Sequence, residues 1–296
     1  MAVTTEEATF SLFKIVERTP FNIAPERAEL LANEIFGKRG WRLGAVHTKA
    51  NFYARPEEAA VDVSFAGMAS LWCLSYAAFH IFDVGCRAQR TLKLPGPATV
   101  DVGKEFHELQ LQNYIGFARE LFKANLNWRP DIQMPVANAG FDTPDGLINN
   151  VFFGALSWII LHEIGHVHYN HLEHIPPGQR VSQEFQADNF ATTWILDDAG
   201  AGRQREFRIL MITVALTWLF LCELERGQGD THPPTIIRFR AASSIFSAGQ
   251  RSAGLQYSSY LLKAVLDPKT ESPLFEDAME MFEWTSTRLE ELFPVR

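Results

Sequence analysis

His162-Glu163-Ile164-Gly165-His166 sets two imidazoles four residues apart, with a glutamate directly after the first. On a helix, positions i and i+4 lie one above the other, so both rings can reach one metal ion from one face. Glu163 is rotated off that line, where its carboxylate addresses a water beside the metal and not the metal itself. This is the chemistry of zinc-assisted hydrolysis. The ion acidifies a water and polarises a carbonyl, while the carboxylate takes and returns the proton. In a chain of this composition the pattern arises by chance only ~0.02 times. The apolar run VFFGALSWIIL just before it (151–161) marks a central, buried helix. Two histidines and a glutamate would be costly there without a metal or partners.

A hydrolytic zinc site takes one further protein ligand and keeps a position for water. Five of the 9 histidines fall between His162 and His174, but the surplus three fit poorly. His168 lies round the helix from His166, and the longer pattern H-E-x-x-H-x-x-G-x-x-H would need histidine where Leu172 stands. His168, His171 and His174 are therefore read as exposed residues of the last turns. A better third ligand is Glu184, which shares one face of a predicted helix with Asp188. Glu184 would complete a His₂Glu set, and Asp188 is placed to accept the free N–H of a ligand histidine, fixing its tautomer. Ala187 and Ala191 on the same face would let two helices approach closely. The plain alternative is a solvated acidic face. Asp230-Thr231-His232-Pro233-Pro234, followed by Arg238, joins two further predicted helices. If that loop folds over the metal, His232 can stabilise an oxyanion; the alternative is a helix-capping turn.

The elements that must position these residues follow from apolar spacing. A helix is expected at 27–36, then short, partly alternating segments at 41–47, 50–55 and 59–65 that suit a small antiparallel sheet. A buried helix at 66–85, a loop at 87–103 broken by LPGP, and an amphipathic helix at 104–126 follow. Residues 128–145 read as irregular, with a short strand at most. Helices are expected at 147–171, 183–197, 203–225, 234–248, 254–266 and 273–293. The whole reads as one α+β, predominantly helical metallopeptidase domain, a mixed lobe over 1–146 and a helical lobe over 147–296 carrying the zinc site.

The 296 residues are 47% hydrophobic and 21% charged, near the globular average, which excludes disordered and low-complexity classes. A net charge of −8 argues against a nucleic-acid surface. Cys73, Cys86 and Cys222 are odd in number and form no C-x-x-C pair, so neither a disulfide framework nor a cysteine-ligated zinc is expected. The start, MAVTTEEATF, lacks the basic region of a secretory signal, and a cytoplasmic location is expected. Apolar stretches at 64–82, 151–161 and 209–222 fall short of the roughly 20 strongly apolar residues of a span and read as buried core helices.

HEIGH, then Glu184-Phe-Gln-Ala187-Asp188, then THPP with Arg238 beyond it, resembles the motif series of gluzincin peptidases, which the HtpX/CAAX-protease clan shows in the same order. The resemblance implies zinc ligands at His162, His166 and Glu184 and a general base at Glu163. It places Asp188 behind the ligands, with His232 and Arg238 lining or bracing the site. That clan is embedded in membranes, from which this chain departs. The chain is more closely similar to the Lit-type phage-exclusion peptidases, in TPFNIAPE (19–26), the SWIILHEIGH helix (157–166), QADNFATTWIL (186–196) and the THP turn. The similarity spans most of the chain and is weakest over about 87–145. It implies cleavage of host elongation factor Tu after phage infection, although no motif here encodes a cleavage site.

The expected activity is thus a zinc endopeptidase acting on a protein substrate, with an activating phage-derived peptide as a further expected partner. An extended substrate may be gripped by adding to an exposed strand, for which 132–138 or 41–47 are the candidates. The alternatives are a membrane-anchored peptidase of the HtpX kind and a non-catalytic protein that keeps zinc as a structural clamp.

Overall fold

Residues 2–92, 102–172, 175–229 and 232–295 are described by the computed structural model; the LPGP turn, His174, Asp230 and Thr231 lie outside them. The chain opens with α1 (Thr5–Val16), α2 (Thr19–Ile23), α3 (Ala28–Leu30) and α4 (Gly37–Arg39), the last two flanking a π-helical turn at Leu31–Phe36. Thr4 and Glu7 cap α1 reciprocally. The Thr4 hydroxyl accepts from Glu7 N–H at 3.1 Å, and the Glu7 carboxylate accepts from Thr4 N–H at 2.8 Å.

β1 (Arg42–Val46), β2 (Phe52–Arg55) and β3 (Ala60–Ser64) form a sheet in the order β1-β3-β2. The strands fall within the expected segments, but the sheet is mixed and not antiparallel throughout: β3 is antiparallel to β2 and parallel to β1. The turn Pro56–Glu58, closed by Ala59 at φ 49°, reverses the chain and inserts β3 between the two earlier strands. All of β3 is buried. Its Asp62 accepts from Arg55 Nε at 2.6 Å and needs a glycine opposite, since a Cβ on Gly44 would stand 2.0 Å from Asp62 Oδ1. With β3 in the middle, β2 is an edge.

The remainder is helical: α5 (Phe65–Leu92), α6 (Val102–Glu108), α7 (Leu111–Glu120), α8 (Pro144–His168), α9 (Pro177–Leu196), α10 (Arg203–Arg226), α11 (Thr235–Ser244), α12 (Ala253–Leu266) and α13 (Ala278–Leu292). The protein is predominantly helical with a small sheet near its N-terminus, the class its sequence predicts. Three departures have local causes. α5 runs on to Leu92, through residues expected as loop, because Arg87 pairs with Asp83 one turn back and with both carboxylate oxygens of Glu105 on α6. The helix expected at 104–126 breaks at Gln110, which adopts φ 51°. α9 starts at Pro177, ahead of the expected 183, because proline is pre-shaped for a first helical turn. Residues 128–143 form no strand.

α8 is the hub, apolar around its circumference and packed against α2, α5, α9, α10 and β2. The TPFNIAPE segment braces it. Thr19 carbonyl accepts from Ser157 Oγ at 2.9 Å, and Glu26 accepts from Arg208 Nη2 of α10 at 2.8 Å. By length and composition α5, α8 and α10 could each cross a membrane, yet 83%, 83% and 67% of their most apolar stretches are buried within the protein. Cys73, Cys86 and Cys222 are free thiols.

Candidate metal centre

Thr143 starts α8 by accepting Gly146 N–H on its hydroxyl at 3.2 Å, with Pro144 in the first turn. The far end of this helix carries the metal donors. His162 Nε2 and His166 Nε2 lie 3.1 Å apart. From α9, Glu184 sets Oε2 3.4 Å from His162 Nε2 and Oε1 3.6 Å from His166 Nε2. A proton or a cation must lie between two imidazole nitrogens this close, and Glu184 Oε2 is buried with no hydrogen-bond partner among the described residues. Zinc bonds of ~2.0–2.1 Å at tetrahedral angles set ligand atoms roughly 3.3 Å apart, so the spacing suits one ion. Two imidazoles and a carboxylate are also the donor types of a hydrolytic zinc site. His162, His166 and Glu184 therefore form a group able to hold a metal ion.

Small residues bring the two halves together. Ala187 and Ala191 of α9 are fully buried, and Gly165 faces them from α8: a Cβ there would stand 3.3 Å from Ala187 Cα and 3.2 Å from Phe190 Cδ1. Gly165→Val should force α8 and α9 apart at the donors, costing roughly 1–3 kcal/mol as core overpacking does. Urea unfolding will show the lower midpoint, and equilibrium dialysis a lower metal content at the same free metal.

Behind the donors, His162 Nδ1 lies 2.8 Å from Asp188 Oδ1. Arg238 of α11 grips the same carboxylate with two bonds, Nε to Oδ2 and Nη2 to Oδ1, both 2.7 Å. Asp188 and Arg238 are buried. Trp158, one turn before His162, lies near-parallel to its ring, 5.8 Å between centroids, and donates Nε1–H to Thr192 Oγ1 at 3.0 Å. Burial alone would lower the His162 pKa, but Asp188 and Glu184 outweigh it and raise it to about 10. His166 is pushed down to about 3 by burial and by its proximity to His162. Burial would raise Glu184, yet the closeness and charge of His162, aided by Arg238, hold it below the ordinary carboxylate range. A metal ion must displace the His162 proton, so binding releases protons.

Glu163 is buried on the wall of a cleft of about 280 Å³ lined also by Asn51, Phe52, Trp158, Glu184 and His232. Burial pushes its carboxyl up to about 7; His162 opposes this, Glu184 adds to it, and a hydrogen bond with the Ala54 main chain opposes it. That contact places β2, the sheet edge, directly beside the candidate base. Ser64 N–H donates to Asn51 carbonyl at 3.1 Å. By the alternation of an antiparallel pair, Tyr53 and Arg55 then face β3, and the main-chain groups of Phe52 and Ala54 face away. The strand next to the metal helix is thus neither 132–138, which is not a strand, nor 41–47, which holds β1 at the opposite edge.

His232 stands at the cleft mouth, its side chain 59% exposed and Nε2 3.5 Å from Glu184 Oε1. Its loop is held by Glu223, which accepts from Thr235 N–H at 2.7 Å and Gln228 Nε2 at 2.9 Å, a residue that sequence spacing did not single out. The surplus histidines divide. His168 is exposed against Phe190. His171, expected to be exposed, is buried: Asn170 adopts φ 53° and turns the chain back, so that His171 Nδ1 meets His166 Nδ1 at 2.9 Å.

A mostly helical protein whose central helix ends in a His-Glu-x-x-His metal-donor group, completed by a glutamate from the next helix, has the makings of a metal-dependent hydrolase. A model of the Peptidase U49 family matches residues 61–258, from β3 to α12. The chain belongs to that family of peptidases. The cell death peptidase of Escherichia coli (strain K12) is 23% identical over 254 residues, covering 80% of this chain and 82% of the relative. No solved structure matches the chain.

Proposed function

We propose that this chain is a zinc-dependent endopeptidase in which Glu163 is the general base. The observation that carries the reading is the placement of Glu163 between three converging donor residues, whose nearest atoms are 3.1–3.6 Å apart, and the main chain of an edge strand. Zinc held by His162, His166 and Glu184 would supply an acidified water and polarise the scissile carbonyl. Glu163 would take a proton at its carboxylate from the attacking water as its oxygen bonds to the scissile carbonyl carbon, and would deliver that proton to the leaving amine as the C–N bond breaks. The outward main-chain groups of Phe52 and the Ala54 carbonyl, the Ala54 N–H being taken by Glu163, would hold the substrate as an added strand. Asp188, fixed by Arg238, orients His162, and His232 at the mouth donates to the charge that develops on the carbonyl oxygen.

The Lit-type resemblance supplies the rest of the reading. The substrate is a protein, with host elongation factor Tu the leading candidate, cleaved in the cytoplasm during phage infection and with a phage-derived peptide as activator. Sorting new protein N-termini in cells expressing wild type or Glu163→Gln tests this; identical sets would sink the peptidase reading. His232→Ala should lower turnover and leave zinc content unchanged. Loss of zinc in that variant would instead make His232 a ligand. Separation of cell extracts into soluble and membrane pools tests the location.

A further inference from the structure

His166 presents Nε2 to the donor group, so its other nitrogen decides whether a lone pair is available there. That nitrogen is 2.9 Å from Nδ1 of His171, and Nε2 of His171 is 3.0 Å from Oε1 of Gln186 on α9. A carbonyl oxygen only accepts, so His171 carries its proton on Nε2. The Nδ1 of a neutral His171 is then a lone pair, and the proton between the two rings belongs to His166 Nδ1. The remaining lone pair of His166 lies on Nε2, facing His162 and Glu184. One amide oxygen on α9 thus sets the tautomers of two histidines in series. His171 cannot itself ligate the ion in this arrangement, because it meets the nitrogen of His166 that faces away from the other donors.

The backbone serves the same contact. His171 N–H donates to the His166 carbonyl at 3.0 Å, through the left-handed turn at Asn170. Tyr169 lies near-parallel to the outer face of the His171 ring, with 5.7 Å between centroids. The two ligand histidines are therefore supported differently: His162 by a carboxylate locked to Arg238, His166 by a neutral imidazole and amide.

We infer that His171 is a positioning residue that fixes His166 as the Nδ1–H tautomer and so readies Nε2 for the metal. The inference rests on the zinc reading above and deepens it. Asparagine places its Oδ1 where histidine places Nδ1, so His171→Asn keeps an acceptor for His166, whereas His171→Leu removes it. The experiment is chelator competition for zinc in wild type, His171→Leu and His171→Asn, with circular dichroism melts of the metal-free proteins. Expected is a 10–100-fold weaker zinc affinity for His171→Leu, and an affinity within about threefold of wild type for His171→Asn, since its acceptor persists. The visible spectrum of the cobalt-substituted protein should change in the leucine variant and be restored in the asparagine variant. Wild-type affinity in a folded His171→Leu protein would overturn the inference, as would equal loss in both variants, which would mean packing alone. If His171→Leu fails to fold, Gln186→Leu takes its place on the more open side of the relay, with weakened zinc binding expected and unchanged binding overturning the inference. Failure of wild type to bind zinc would overturn the metal reading itself, a result distinct from all of these.

Discussion

Glu163→Gln is expected to keep its zinc and its fold while peptide-bond hydrolysis falls by roughly 10²–10⁴-fold or more. Glutamine preserves the shape of the side chain and an acceptor for the Ala54 main chain, but it takes no proton at neutral pH. Stability should move in the opposite direction from activity. In the metal-free protein burial pushes the Glu163 carboxyl up to about 7, against an ordinary value of 4.5. A carboxyl raised on folding is more easily ionised in the unfolded chain, so it destabilises the fold wherever it is charged. Below 4.5 wild type and variant should therefore unfold alike. As the pH rises from there through 7 the variant becomes the more stable, and above 7 the gap is constant. Urea titrations of both metal-free proteins across that range measure it. A variant less stable than wild type at pH 8 would show that the carboxylate is better solvated than its burial implies.

Arg238→Met carries the second large effect, an expected loss of roughly 3–5 kcal/mol of stability together with weakened metal binding. The magnitude does not come from the attraction between Arg238 and Asp188, much of which offsets the desolvation of two buried ions. It comes from what is left behind. Asp188 is 3% exposed and loses both bonds from the guanidinium, and Glu184, 3.8 Å from Arg238 Nη1, loses its nearest arginine. Removing Asp188 as well should recover part of the loss, so Asp188→Asn/Arg238→Met is expected to unfold at a higher urea concentration than Arg238→Met alone. Additive losses in the double variant would mean that the pair is not coupled, contrary to its bidentate geometry.

The candidate metal donors were legible because each belongs to a one-turn pair on its own helix. His162 to His166 and Glu184 to Asp188 are one-turn spacings, and the small residues at 187 and 191 announced a close helix pair. The paired role of Arg238 came from motif order and acquires its physical reason only in the fold, as the partner of Asp188. His171 was hidden for the converse reason. Its place depends on a single left-handed residue, Asn170, that takes it out of the helical repeat just where that repeat was used to place it. The edge strand was hidden too. Its segment was visible, but its position beside α8 depends on β3 entering the sheet between β1 and β2, a matter of connection and not of spacing. Both the capping box at Thr4 and Glu7 and the one-turn repeat of Ala8, Leu12 and Val16 on the buried face of α1 were present as patterns, so this helix was legible although no element was expected there.

The edge strand is also short. β2 has four residues, a reach of about 13 Å at ~3.3 Å per residue. It is bounded on one side by the Pro56 turn and on the other by Ala50, whose main chain is already bonded to Leu121 and Arg226. Only Phe52 and Ala54 turn their main chain outward, and main-chain bonds are indifferent to side chains. Such a strand reads a very short word, and short words recur in almost every protein. If the chain cleaves proteins along β2 as proposed, selectivity would reside in presentation: a folded target offering one extended loop at the right height above its own surface would be recognised by shape around the scissile bond more than by the letters at it.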